Sequence, residues 1–312
     1  MKHFKSINFV NRWHNGDIHF SRQFIKHIIN NTEADNYVYY LDKSTHLLRD
    51  IKNLARKPLL ELSIDFTDNL VVVPGEDIYI NTWIGCEGRK YLSLYDVDEK
   101  LYNGTIHPLL DYNVSLGSNY RMYTDVVGRL GLSPLSQSPI DYIPEVDYNQ
   151  FNISSCQDFL DNNLNKKRVL LCNNLVCSSQ APNFDFDPII DVVTSEWPEI
   201  QFLVTDKTTI VKPNIYQTNS IINTQDDSNL EEHGYLSKFC DIIVGRGSGP
   251  FCFCGTKENY FNTKIRFIGM GFDLLTIFWY YNSENMKYIS GYSTEEFMHV
   301  FNICLEELGI HK

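Results

Sequence analysis

Short apolar runs rich in β-branched residues alternate with amphipathic helical patterns along most of this 312-residue chain. In the first half, strand patterns at 7–10 and 37–41 flank a helix pattern at about 20–29. The second half repeats the alternation, with strand patterns at 168–172, 200–205, 242–244 and 264–268. Strands that alternate with helices build mostly parallel sheets with helices on their faces. The pattern therefore predicts an α/β protein with two Rossmann-like domains.

A break in this pattern marks the expected domain boundary. Residues 133–152 contain Pro134, Pro139 and Pro144 among serine, aspartate and tyrosine, and hydrophobic periodicity is lost there. Proline-rich polar segments are typical of linkers. We therefore predict one domain at 1–150, including the linker, and a second at 151–312.

Charge and composition exclude several classes of function. The formal charge is −12, which disfavours the phosphate backbone of a nucleic acid as a partner. No apolar stretch follows the basic residues at the N-terminus, and no run approaches the roughly 18 apolar residues of a membrane span. The eight cysteines are scattered, and most lie in apolar runs, as expected for buried free thiols in a reducing compartment. These features predict a cytoplasmic protein.

A glycine-rich turn follows the strand pattern at 242–244. Gly245, Gly247 and Gly249 are interleaved with Arg246 and Ser248, and an apolar run begins after Pro250. Strand, glycine turn and helix N-terminus together form an anion site, because backbone N–H groups and the helix dipole favour negative charge. The alternative is a plain strand–helix turn that needs glycine only for its backbone angles.

The first strand pattern also leads into a polar turn. Asn15, Gly16 and Asp17 precede the helix pattern, so we expect their loop to open at the carboxyl end of a strand. Open α/β sheets place their ligands at this edge.

Five basic residues lie between positions 43 and 57, around four leucines and isoleucines. We interpret this stretch as a helix with a solvated charged face. The alternative is a basic patch for an anionic acceptor or a peripheral membrane contact.

Four segments, in order, resemble the heptosyltransferase-like family, glycosyltransferase family 9, whose members have the GT-B fold. Gly16-Asp17-Ile18-His19 resembles its opening Gly-Asp loop, and residues 123–132 resemble the end of its first domain. Residues 168–172 are similar to its first donor-domain strand, and Gly247-Ser248-Gly249-Pro250 resembles its diphosphate-binding turn. The resemblance implies two Rossmann-like domains facing across a cleft, with the acceptor on the N-terminal side and the nucleotide sugar on the C-terminal side.

The resemblance also implies a reaction: inverting transfer of a sugar from a nucleotide sugar to a glycan or glycolipid, without a bound metal or other cofactor. Asp17 matches the family's catalytic base. The implied donor-binding residues are Asn173, Arg246, Gly247, Ser248, Gly249 and Pro250, and the acceptor-side residues are His14, Asn15, Gly16 and His19.

Each of these residues also has an ordinary structural interpretation. A Gly-Asp dipeptide commonly caps a helix, so Asp17 alone would suit an N-cap. His14 and His19 could be substrate contacts, or even the base, but could equally be packing histidines. Arg246 could be a surface charge, and Asn173 could belong to a solvated loop.

Three departures from the family pattern keep two further hypotheses open. Gly247 stands where the family usually has aspartate, Cys252 stands where it commonly has histidine, and residues 173–180 contain no lysine. A degenerate GT-B fold kept for binding would explain them. A polysaccharide pyruvyltransferase can share this shape, although the scarcity of basic residues near the glycine turn disfavours it.

Overall fold

The computed structural model of the chain divides into two compact units, residues 1–147 and 148–312. The structure describes residues 3–12, 15–42, 46–62, 68–73, 77–83, 114–136, 139–177, 182–224, 226–271, 285–289 and 291–312.

The N-terminal unit contains a five-stranded sheet of order β3-β2-β1-β5-β4. All neighbouring strands are parallel except β4, which pairs antiparallel with β5. The strands are β1 (His3–Asn11), β2 (Glu33–Leu41), β3 (Leu54–Pro58), β4 (Leu70–Val73) and β5 (Asp77–Asn81). The helices are α1 (Asn15–Phe20), α2 (Arg22–Asn31) and α3 (Val114–Arg129).

Aromatic residues form the contact between this sheet and its helices. Phe9 of β1 is fully buried and meets Phe24 of α2 edge-on, with 6.5 Å between ring centroids. Phe24 in turn stacks on Tyr123 of α3 at 4.2 Å. Strand β1 therefore lies in the centre of the unit, with its carboxyl end next to α1.

Two helix predictions in this unit need correction. The helix predicted at about 20–29 begins earlier, because Asn15–Phe20 is already helical and Arg22–Asn31 follows it. The helix predicted at 43–57 is wrong over its described part: residues 46–53 form turns that lead into β3. Leu48 and Asn53 both have φ of 63°, which a right-handed helix cannot contain. Burial of the apolar residues Leu47, Leu48 and Ile51 in this turn produces the spacing that resembles a helix face.

The C-terminal unit contains a six-stranded parallel sheet of order β11-β10-β9-β6-β7-β8. Its strands are β6 (Arg168–Cys172), β7 (Gln201–Val204), β8 (Ile215–Gln217), β9 (Ile242–Gly245), β10 (Arg266–Met270) and β11 (Met286–Ile289). Its helices are α4 (Ser154–Asp161), α5 (Asp187–Glu196), α6 (Thr218–Ile221), α7 (Leu230–Ser237), α8 (Gly249–Phe253), α9 (Lys257–Phe261) and α10 (Thr294–Glu307).

Strand order reverses between β6 and β9, which lie side by side in the middle of the second sheet. Cys172, the last residue of β6, pairs with Gly245, the last residue of β9. The loops after these strands therefore leave the sheet together, at the edge where doubly wound sheets bind ligands. The two Rossmann-like α/β domains predicted from the sequence are confirmed.

Four cysteines converge beneath the glycine turn. Cys172, Cys240, Cys252 and Cys254 are all buried, and they lie close enough to influence one another electrostatically. Burial raises the pKa of the Cys172 thiol well above its usual value, so it stays neutral and unreactive. Cys177 departs from the expected burial because it is exposed. Cys86 lies outside the described residues.

Gly245 lies against two neighbouring side chains. A Cβ added there would lie 2.8 Å from Cys172 Cβ and 2.8 Å from the Phe251 ring. We expect Gly245→Ala to lower the free energy of unfolding by about 1–3 kcal/mol, measured by denaturant titration. Gly128→Ala is the control, since a Cβ there meets nothing within 4 Å and α3 should gain about 0.5–1 kcal/mol. Equal effects of the two variants would contradict this interpretation.

The described residues contain neither a candidate membrane span nor a candidate metal-binding cluster. No helix among them is both long enough and apolar enough to cross a membrane. No three histidine, cysteine or acidic residues among them are grouped so that they could hold a metal ion.

Candidate active site

The predicted base, Asp17, lies on α1, just beyond the carboxyl end of β1. Its side chain is 2% exposed, and its Oδ1 atom has no hydrogen-bond partner among the described residues. Burial raises the pKa of Asp17 from 3.8 to about 7, against a smaller lowering by a backbone hydrogen bond. Because Asp17 lies inside the helix and not before it, the N-cap alternative is wrong. A carboxyl group with this pKa can gain and release a proton near neutral pH.

Polar groups from three strand ends gather near Asp17. The Tyr39 hydroxyl lies 2.6 Å from Thr82 Oγ1, and Asn11 Nδ2 donates to the same oxygen at 3.4 Å. These residues come from β2, from the segment after β5 and from the end of β1. Burial, with a smaller contribution from the Asp17 charge, raises the pKa of Tyr39 and of Tyr123. Both phenols therefore remain protonated beside the carboxyl group.

The predicted acceptor-side residues occupy different environments. Asn15 and Gly16 form the first turn of α1, which is helical and not the open loop that the sequence suggested. His19 is fully buried with its ring against Phe20, at 5.5 Å between centroids, which favours the packing alternative for this histidine. His14 lies outside the described residues.

In the C-terminal unit, the glycine turn runs from β9 into α8 as predicted. Ser248 precedes α8 in an extended conformation, and its backbone carbonyl accepts a hydrogen bond from Cys252 N at 3.0 Å. Its hydroxyl is buried without a hydrogen-bond partner among the described residues. A Cβ on Gly249 would approach Leu230 Cδ2 to 3.0 Å, so packing against α7 favours glycine there. Gly247 and Pro250 complete the buried turn.

Arg246, predicted as a cation for the donor phosphates, holds a loop in place. It is 1% exposed and donates hydrogen bonds to Asn183 Oδ1 and to three backbone carbonyls, including Phe184 O at 2.9 Å and Asn173 O at 3.2 Å. Its Cζ atom also lies 4.5 Å from the Phe184 ring centroid and 4.7 Å from that of Phe186. The guanidinium group therefore ties the loop after β6 to the end of β9.

Asn173 has a similar structural role. Its Oδ1 accepts a hydrogen bond from Asp206 N at 2.8 Å, and its Nδ2 donates to Lys207 O at 3.2 Å. These bonds join the ends of β6 and β7. Contacts of Asn173 and Arg246 with the donor stay predictions. Both residues would have to make them in addition to the structural contacts described above.

We expect Arg246→Lys to lower the free energy of unfolding by roughly 2–3 kcal/mol, because a lysine cannot reproduce the planar fork or the stacking. Thermal and denaturant unfolding measure the change. Arg129→Lys is the control, since Arg129 pairs with Asp68 at the surface and should lose less than about 1 kcal/mol. A stability loss no larger than that of the control would show that the Arg246 contacts are weak.

Sequence reasoning missed several buried polar residues. Glu231, Glu232 and His233 lie on α7, next to the glycine turn, and all are fully buried. The His233 ring bonds Thr218 Oγ1 at 2.8 Å, and burial lowers the pKa of His233 from 6.5 to about 3. Charged residues in the first turn of a helix usually face solvent, so the sequence carried no signal of their burial.

Comparisons with known proteins place the chain by its fold. No family model matches the sequence, and a search of curated proteins also finds no match. Among solved structures, E. coli heptosyltransferase WaaC with ADP is 10% identical with a TM-score of 0.50, covering 98% of this chain and 100% of that one.

Two further structures are similar. A glycosyltransferase family 9 protein from Veillonella parvula is 10% identical with a TM-score of 0.49, covering 96% of this chain and 89% of that one. E. coli ADP-heptose LPS heptosyltransferase II is 12% identical with a TM-score of 0.46, covering 97% and 99%. The likeness to WaaC confirms, at the level of the fold, the resemblance to heptosyltransferases that the sequence predicted.

Proposed function

We propose that this chain is a glycosyltransferase that moves a sugar from a nucleotide-sugar donor to a glycan or glycolipid acceptor, with inversion and without a bound metal. The observation that carries the proposal is the Asp17 carboxyl group, buried at a strand end with one oxygen that has no partner among the described residues and with a pKa of about 7. The shared fold with WaaC, a heptosyltransferase crystallised with ADP, supports a nucleoside diphosphate as the product.

In the proposed reaction, ionised Asp17 takes the proton of the acceptor hydroxyl. That oxygen attacks the anomeric carbon, the bond from this carbon to the donor phosphate breaks, and the nucleoside diphosphate leaves with the electron pair. A base works best when its pKa lies near the working pH, and the pKa of Asp17 meets this condition. Because the phenols of Tyr39 and Tyr123 stay neutral, they add no negative charge beside the ionised Asp17 carboxylate.

The glycine turn is the proposed site for the donor diphosphate. The buried Ser248 hydroxyl can donate a hydrogen bond to a phosphate oxygen, and Gly247 and Gly249 allow close approach of the backbone. Arg246 places a positive charge within the turn, two residues before Ser248. Even while it bonds the loop carbonyls, this charge stabilises negative charge developing nearby.

Release of nucleoside diphosphate tests the proposal. The protein is incubated with UDP-, GDP- and ADP-linked sugars, with and without glycan acceptors, and we expect one donor class to be consumed. Ser248→Ala should weaken binding of the corresponding nucleotide about ten- to a hundredfold, through loss of a hydrogen bond to a charged group. Ser220→Ala, at an exposed serine of α6, should leave it unchanged.

Other outcomes would decide against the proposal. Consumption of phosphoenolpyruvate with none of the nucleotide sugars would favour the pyruvyltransferase. Binding without turnover for every donor and acceptor would favour the degenerate binding protein, which the structural use of Arg246 and the buried Cys252 at the family's histidine position would then explain.

A further inference from the structure

A concave site lies in the C-terminal unit, between the segment leading into α5 and the segment leading into α10. Its volume is about 440 Å³, within the range of about 300–1,000 Å³ typical of small-molecule sites. The residues that define its chemistry are Pro182, Phe184, Asp185, Tyr292, Ser293 and Thr294.

Two stacked aromatic rings form one wall of this pocket. Phe184 and Tyr292 are nearly parallel, with 11° between their planes and 5.2 Å between centroids. Phe184 is held from behind by Phe186 and Arg246, and it packs closely on Gly271, where an added Cβ would meet it at 3.2 Å. Tyr292 is 57% exposed. The wall is therefore an aromatic platform in which Phe184 is packed against its neighbours and the Tyr292 ring is accessible to a ligand.

The polar groups around the platform select the charge of that ligand. Asp185 is exposed, and its Oδ1 accepts a hydrogen bond from Asp187 N at 3.0 Å. Glu295 and Glu296 follow in the first turn of α10, and no lining residue is basic among those described. These carboxylates disfavour a phosphate or another anion. The guanidinium of Arg246, 4.5 Å from the Phe184 ring, disfavours an added cation on the same aromatic stack.

A neutral ligand with one apolar face and several hydroxyl groups satisfies these conditions. A saccharide ring has this chemistry: its C–H face suits an aromatic ring, and its hydroxyls can donate to a carboxylate and exchange hydrogen bonds with side-chain hydroxyls. Asp185 provides the carboxylate, and Thr294 and Tyr292 provide the hydroxyls.

We propose that this pocket binds one neutral saccharide ring, stacked on Tyr292 and hydrogen-bonded by Asp185 and Thr294. The choice of a saccharide rests on the proposed function, while neither Asp17 nor Ser248 is among the described residues that line the pocket. The ring belongs either to the acceptor glycan or to the sugar of the donor, and the two sources differ in how binding depends on the nucleotide.

Saturation-transfer NMR and calorimetry with the full chain test the proposal. The probes are methyl glycosides of glucose, galactose, mannose and N-acetylglucosamine, together with maltotriose and chitobiose. We expect at least one to bind, Tyr292→Ala to weaken that binding about tenfold by removing the stacking face, and Tyr292→Phe to retain most of it. Phe261→Ala, at a ring 55% exposed on α9, is the matched control and should bind normally.

Two arms distinguish the source of the sugar. If Tyr292→Ala weakens the free glycan while affinity for the nucleotide sugar is unchanged, the pocket belongs to the acceptor. If instead the wild type binds a nucleotide sugar more tightly than the corresponding free nucleoside diphosphate, and Tyr292→Ala abolishes this difference in affinity, the pocket holds the donor sugar.

Three results would overturn this proposal without touching the proposed function. In the first, no saccharide probe binds. In the second, wild type and Tyr292→Ala bind the saccharide with equal affinity. In the third, ADP or an N-acetyl-lysine methyl ester binds in a manner that depends on Tyr292, and the sugars do not. Nucleoside diphosphate binding by the wild type is measured in parallel, so failure of the proposed function itself is seen separately.

Discussion

The Asp17→Asn variant should transfer the sugar to the acceptor, and so release nucleoside diphosphate, about a hundred- to ten-thousandfold more slowly than the wild type, the usual contribution of a general base. Asparagine keeps the shape of the side chain but cannot take the proton of the acceptor hydroxyl. The rate of the wild type should also rise as pH increases through about 7, because Asp17 must be ionised to act. The variant should lack this dependence.

The control for this prediction is Asp125→Asn, which changes a half-exposed aspartate of α3 that pairs with Arg129. Its rate and pH profile should match those of the wild type. Affinity for the nucleotide should be unchanged in Asp17→Asn, because the proposed diphosphate site lies in the other unit. A variant that retains the wild-type rate would show that Asp17 is not the base.

The second large effect concerns stability. The pKa of Asp17 is about 7 in the folded protein, whereas its ordinary value, taken for the unfolded chain, is 3.8. Because the folded state holds the proton more tightly, this carboxyl group favours folding most below about pH 4. This contribution is lost as pH rises through 7, and it amounts to roughly 4 kcal/mol. Asp17→Asn removes the effect, so we expect its stability relative to the wild type to increase from pH 4 to pH 8.

Only the difference between the two proteins reports on Asp17, since His233 gives the opposite trend. The pKa of His233 falls to about 3 on folding, so its contribution is lost as pH decreases below about 6.5. Denaturant unfolding of the wild type and of Asp17→Asn across pH 4–8 cancels the shared histidine term. A stability difference that does not vary with pH would mean that Asp17 is not buried as the structure has it.

Much of the fold could be predicted because local pattern and tertiary structure agree. Parallel strands buried on both faces produce apolar runs such as β6 and β9, and the glycine turn follows β9. The pattern failed at residues 46–53, where Leu48 and Asn53 turn the chain with positive φ while nearby apolar residues are buried. Spacing alone cannot distinguish such a turn from a helix.

The candidate site was less predictable, because its properties arise from contacts distant in sequence. Asp17 could be chosen from its motif, but its raised pKa results from burial, and the nearby Tyr39 and Tyr123 come from β2 and α3. Arg246 illustrates the converse: its position beside the glycine turn suggested phosphate binding, whereas its partners lie more than 60 residues away in the loop after β6. The aromatic platform likewise joins Phe184 and Tyr292, which no local pattern connects.

Binding of nucleoside diphosphates tests the central proposal most directly. Thermal unfolding is followed for the wild type with UDP, GDP and ADP and with their sugars, alongside Ser248→Ala. We predict that one nucleotide class stabilises the wild type, by about 2.7 kcal/mol at a hundred times its dissociation constant, and stabilises Ser248→Ala much less. If no nucleotide shifts the unfolding of the wild type, or if Ser248→Ala shifts equally, the proposed donor site at the glycine turn is contradicted.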